Sequence, residues 1–239
     1  MNEMCPWAGL ESAKLSFCEE AIQCALVQRP SEAWSSFAFV FAAYYIYLQL
    51  KKRKHYNLWP FIPLVALIGL TSFALHATSS FMGELMDVSS MFMLVNYCIV
   101  VGLEQRHKFK RSTLITIFIV MVAACMGPLF LISKKMGSVI FLLQIILGVV
   151  FIIEYHFSKA DRPKGISYKP LVLCLSTLLF AWGIWWLDML KIVCDPTNHI
   201  FTGHALWHIL GAIATIPLWR FLDQFEMLKE QKDNINLIH

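Results

Sequence analysis

Apolar residues in this chain fall in long, nearly uninterrupted runs, not at the alternating spacing of half-buried strands or amphipathic surface helices. Seven such runs stand out, at about 33–50, 58–78, 85–103, 113–132, 138–157, 170–191 and 203–222. Each approaches the roughly 20 residues that a helix needs to cross the hydrocarbon of a bilayer. The period-two pattern of an outer-membrane barrel is absent. The fold class read from this pattern is an all-α integral membrane protein, a seven-transmembrane helix bundle. Residues 1–32 form an N-terminal segment outside the bundle, 33–222 the bundle itself, and 223–239 a tail. No basic region leads into a short apolar core and a small-residue cleavage site, so the start of the chain does not read as a cleavable signal peptide.

Composition agrees. Of 239 residues, 58% are hydrophobic and only 15% charged, with a mean hydropathy of +0.60, whereas soluble domains run near 45–50% apolar and about 25% charged. A soluble enzyme, a disordered chain and a nucleic-acid binder are excluded. The placement of positive charge then sets an orientation. Fifteen of the twenty Lys and Arg lie in the first loop (Lys51, Lys52, Arg53, Lys54), the third (Arg106, Lys108, Lys110, Arg111), the fifth (Lys159, Arg162, Lys164, Lys169) and the tail (Arg220, Lys229, Lys232). Lys14, Arg29, Lys134, Lys135 and Lys191 lie on the other side. An extracytoplasmic N-terminus and a cytoplasmic C-terminus follow.

Ionisable residues within a span are costly, and each needs a reason. Five of the eight His (His55, His107, His156, His199 and His239) fall in loops or at helix ends. His76 lies near the end of the second run, Asp87 near the start of the third, and His204 and His208 near the start of the seventh. Even-numbered helices end, and odd-numbered ones begin, on the N-terminal side, which places all four at similar depth toward the extracytoplasmic face. His204 and His208 share one helical face, about 6 Å apart along the axis, and Ser72 shares a face with His76.

Three imidazoles with a carboxylate beside them match a catalytic zinc site, which takes three protein ligands and leaves a fourth position open. Zinc there would acidify water and polarise a carbonyl. Asp87 would take a proton as general base, and Ser72 would donate to the oxyanion formed at an attacked carbonyl. The competing reading makes these residues interhelical hydrogen-bond partners or a proton relay. A relay calls for a polar path through both leaflets, and in the other half only Asn96 and Gln144 stand out. Cys98, Cys125 and Cys174 read as small apolar packing groups; Cys5 and Cys24 are left unassigned.

The arrangement Ser72-x3-His76-x10-Asp87, with His204-x3-His208 in the last helix, resembles the superfamily of alkaline ceramidases, progestin/adiponectin-type receptors and Per1-like proteins. The His-Ala-Leu-Trp-His-Ile-Leu stretch at 204–210, Phe17-Cys18-Glu19-Glu20 and Glu32-Ala33-Trp34-Ser35 are most similar to the alkaline ceramidases. The resemblance implies hydrolysis of the ceramide amide to a sphingoid base and a fatty acid. His76, His204 and His208 would bind zinc, while Asp87 and Ser72 would act on water and oxyanion. It also implies a calcium site from Glu19, Glu32 and the Phe17 carbonyl, although Ser16 and Ala21 stand where the family carries Asp and Asn. A Cys18–Cys194 disulfide is implied as well. The partners would be ceramide or a related acyl lipid and the bilayer, in a bacterial inner membrane or in the endoplasmic reticulum or Golgi. The alternatives are another acyl-lipid hydrolase of the superfamily, or a zinc-containing seven-helix lipid receptor; the short, acidic N-terminal segment argues against the receptor.

Overall fold

The computed structural model describes residues 5–51, 58–107, 109–131, 137–157 and 165–236. The described residues form eight helices: α1 (Pro30–Ser35), α2 (Phe37–Leu50), α3 (Phe61–Thr78), α4 (Phe81–Arg106), α5 (Arg111–Leu131), α6 (Gly137–Phe157), α7 (Lys169–Met189) and α8 (Gly203–Asn236). Among the described residues no strand forms; one isolated bridge joins Ser12 and Ser80. Among the described residues six stretches are long and apolar enough to cross a membrane, with α1 and α2 together supplying one, and Gly137–Ile152 in α6 is a shorter apolar stretch. This is a helical membrane protein. Of the residues used above for orientation, Lys52, Arg53, Lys54, Lys108, Lys134, Lys135, Lys159, Arg162 and Lys164 lie outside the described residues, as do His55 and His239.

Three of the differences from the hydropathy runs have a local reason. The first run begins earlier, with Pro30 in the first turn of α1, and is broken at Ser36, whose hydroxyl donates back to Glu32 O at 2.9 Å. The third starts at Phe81 because Ser80 caps α4, its Oγ accepting from Gly83 N at 3.1 Å. The seventh continues past Pro217 to Asn236, so the described part of the tail is helical.

Packing places α3 between α2 and α4, and α8 between α7 and α2, while α5 and α6 lean on the far side of α4. Buried Ile46, Leu50, Phe61, Val65, Trp219 and Phe221 close the end of the bundle away from the N-terminal segment. Two close approaches fix the other end. A Cβ on Gly83 would stand 2.7 Å from Leu75 Cα, and one on Gly203 would stand 2.9 Å from Asp188 Cβ. Glycine lets the backbones of α3 and α4 come this near, and the start of α8 approach the Asp188 side chain of α7, as small residues do in membrane bundles.

The N-terminal segment covers that same end. Ala13 N donates to Ser79 O, Phe81 N to Glu11 O, Gln28 N to Ala77 O and Arg29 N to His76 O, at 2.6–3.1 Å. These bonds pin the segment to the α3–α4 turn, where Ser79 takes a left-handed conformation (φ 47°). Disulfides join Cys5 to Cys24 and Cys18 to Cys194. The second is the pairing implied by the resemblance, and it ties the segment to the loop between α7 and α8. The first involves the two cysteines that the sequence left unassigned.

Candidate metal centre and active site

His76 comes from the last turn of α3, and His204 and His208 come from the first turns of α8. Asp188 at the end of α7 sets the start of α8. Its Oδ2 accepts from His204 N at 3.0 Å, and its Oδ1 accepts from Cys18 N at 3.3 Å. Thr202 Oγ1 accepts from Ala205 N at 3.1 Å, satisfying another free donor of that helix end. These bonds aim α8 so that His204 and His208 face His76.

All three imidazoles are buried, and one nitrogen from each lies within 4.8 Å of the others. Ring centroids are 4.9 Å apart for His76 and His204, 5.1 Å for His76 and His208, and 4.6 Å for His204 and His208. Ligands at the usual zinc–nitrogen distance of about 2.0–2.1 Å stand roughly 3.4 Å apart around a tetrahedral ion. Small rotations of these rings would reach that spacing. His76 Nε2 and His204 Nδ1 are buried with no hydrogen-bond partner. Orphaned imidazole nitrogens are costly unless they ligate, so the residues fit a metal.

Neighbouring groups orient two of the rings. His208 Nδ1 lies 2.9 Å from Ser35 Oγ and 3.4 Å from Ser36 Oγ. Both hydroxyls spend their protons on Glu32 O, at 3.0 and 2.9 Å. His208 Nδ1 must therefore donate, which leaves the Nε2 lone pair for a ligand, an assignment made from the network. His76 Nδ1 lies 2.8 Å from Glu32 Oε2, at ion-pair distance but off the line of a hydrogen bond. Carboxylates and hydroxyls behind metal-binding imidazoles fix the tautomer and ring plane.

Ser72 Oγ stands 3.2 Å from His208 Nε2 and beside the Asp87 carboxylate. Asp87 is half-buried, its open face turned into a cavity that it lines together with Ser72, His204 and His208. Apolar groups dominate the rest of the wall, among them Phe39, Met91 and Phe92 with Phe141 of α6 and Trp182 and Trp185 of α7. Thus α6 and α7 face each other across this space. A second apolar cavity, lined by α4, α6, α7 and α8, adjoins the first at Cys174, Leu178 and Leu218.

Phe17, Glu19 and Glu32 are also buried at this end, and protein groups already engage the Glu19 carboxylate. Glu19 Oε1 accepts from Ser31 N at 3.0 Å and faces His199 Nδ1 at 2.9 Å, while Oε2 accepts from Glu32 N at 3.0 Å. The Glu32 carboxylate turns toward His76. The Phe17 ring packs edge-on against His76 and His204, each at 4.9 Å between centroids. Among the described residues two sets of three His, Asp or Glu side chains are close enough to share an ion, His76–His204–His208 and Glu32–Asp188–His204, and Glu19 belongs to neither. The residues present do not fit calcium at the implied position.

Sequence reasoning missed three contributors. Ser35 lay inside a quoted stretch, yet its place behind His208 depends on how α1 meets α8. Glu32 was assigned to another ion altogether. Arg29 reads as one of five basic residues on the extracytoplasmic side, with no signal that its half-buried guanidinium lies over the Phe17 ring.

Comparison with known proteins points the same way as the geometry. The family described as Ceramidase matches residues 9–238. Two curated relatives, both described as alkaline ceramidase, come from Caenorhabditis elegans, at 27% identity over 176 residues, and Caenorhabditis briggsae, at 23% over 176 residues. In each case the match covers 71% of this chain and 63% of the relative's own length. A match running almost end to end, over a chain whose buried imidazoles meet at one mouth of the bundle, leaves one assignment: the chain belongs to the Ceramidase family.

Proposed function

We propose that the protein is a zinc-dependent amidase that works within the membrane, cleaving ceramide to a sphingoid base and a free fatty acid. The observation that carries this reading is the convergence of three buried imidazole nitrogens, two of them, from His204 and His208, belonging to residues that line one apolar cavity with Ser72 and Asp87. The family and both relatives supply the substrate class.

His76, His204 and His208 would hold the ion, which when bound supplies Lewis acidity to water and to the amide carbonyl. Asp87 accepts the proton of the water that attacks the carbonyl carbon. The Ser72 hydroxyl donates to the carbonyl oxygen as charge grows there. Asp87, now protonated, delivers that proton to the amide nitrogen as the C–N bond breaks, and the free amine and carboxylic acid separate. Water's oxygen and one hydrogen end in the acid, its other hydrogen in the amine.

The acyl chain lies between α6 and α7, running from Asp87 into the second cavity. Gln105, at the far end of that cavity, is 18 residues along α4 from Asp87, a length of about 27 Å at 1.5 Å per residue. In this reading the bundle crosses the membrane seven times, the shorter apolar stretch of α6 included, with the catalytic mouth toward the extracytoplasmic leaflet, which the distribution of Lys and Arg supports.

The test is mass-spectrometric release of fatty acid by purified protein from ceramide and from a glycerophospholipid of matched acyl chain. Turnover of ceramide with little of the phospholipid is expected. The reverse preference would make the protein another acyl-lipid hydrolase, and zinc with lipid binding but no turnover would favour a receptor.

A further inference from the structure

Two carboxylates, Glu19 and Glu32, are completely buried at the mouth of the bundle. Buried acids need compensating charge and hydrogen bonds to be tolerated. The resemblance would supply calcium here, but Ser16 and Ala21 offer neither a carboxylate nor an amide oxygen, and Glu19 already faces three protein nitrogens.

Arg29 occupies the same neighbourhood. Its Nε donates to Glu19 O at 3.0 Å and its Nη1 to Ser79 Oγ at 2.6 Å. The guanidinium lies over the Phe17 ring, 4.9 Å from the centroid, at cation–π distance. The Arg29 backbone N–H donates to His76 O at 3.1 Å. Burial lowers this guanidinium from its usual value, with Glu32 and Glu19 acting against that, and arginine stays protonated at any pH where proteins fold. One side chain thus links the N-terminal segment (Phe17, Glu19) to the α3–α4 turn (Ser79), and the backbone of the same residue bonds that of His76.

We infer that Arg29 is the resident cation of this site, a positioning residue that does the work of a calcium ion and leaves the protein independent of calcium. The forked guanidinium suits the role because it can donate to two acceptors at once and lie flat on an aromatic face. The inference does not require ceramide as substrate, because its test reads stability.

Thermal unfolding of the purified full chain in detergent provides that test, with a calcium chelator, with millimolar calcium, and for Arg29→Met and Arg29→Lys. A calcium site filled a hundredfold above its dissociation constant would raise the Tm by roughly 5–10 °C. The expected shift for the native protein is none. Arg29→Met, which keeps an apolar stem without charge, should lose several degrees, and Arg29→Lys should lose less. A calcium-dependent Tm in the native protein overturns the inference, as does Arg29→Met melting at or above Arg29→Lys. If neither variant folds, the calcium comparison on the native protein still decides.

Discussion

The Ser35 hydroxyl of α1 stands 2.9 Å from His208 Nδ1 in α8 while donating its own proton to Glu32 O. That pairing fixes which imidazole nitrogen carries the lone pair, although Ser35 faces away from the metal position. Ser35→Ala should therefore keep the fold and weaken the site. Loss of such a partner typically costs 10–100-fold in metal affinity or activity, so a reduction of about that size is expected in zinc affinity by competition with a chelator. Ser36, at 3.4 Å, is the weaker partner, and Ser36→Ala should cost less.

Asp87 tests the proton-transfer role separately from metal binding. It lines the cavity beside Ser72 but is outside both groups able to share an ion. Asp87→Asn should keep its zinc and lose roughly 10²–10⁴-fold in kcat, the usual worth of a positioned acid–base group. Zinc content and turnover measured on one preparation check both halves.

Cys174 marks the junction of the two cavities. Cys174→Phe should narrow that neck and shift preference toward shorter acyl chains, leaving the metal in place. A panel of ceramides differing only in acyl length reads the result; an unchanged profile would mean that the chain does not pass this point.

The Cys18–Cys194 bridge joins residues 176 apart in the chain. Closing so long a loop restricts the unfolded chain, and loss of a native bridge typically costs about 2–5 kcal/mol. Cys18→Ser should lower the Tm and reduce turnover, since the same residue's N–H bonds Asp188, the residue that also sets α8.

Much of the fold could be read in advance because a bilayer leaves the backbone few options. The apolar runs, and the parity that brings His76, Asp87, His204 and His208 to one end, follow from span length alone. The N-terminal segment was the hard part. Its shape depends on backbone bonds to Ser79, Ala77 and His76 and on the Cys5–Cys24 bridge, none of which has a periodic signature. Glu32 shows the limit well: its residue type fits calcium or an imidazole equally, and only the broken α1–α2 junction turns its carboxylate toward His76.

The most direct measurement is zinc per chain, by elemental mass spectrometry, on the native protein and on His76→Ala, His204→Ala and His208→Ala, each preparation assayed for fatty-acid release from ceramide. The account predicts about one zinc per native chain, as expected for a three-histidine catalytic site, with metal and turnover lost together in all three variants. Native-level ceramide cleavage by any of the variants, or a native enzyme fully active with no zinc, would contradict it.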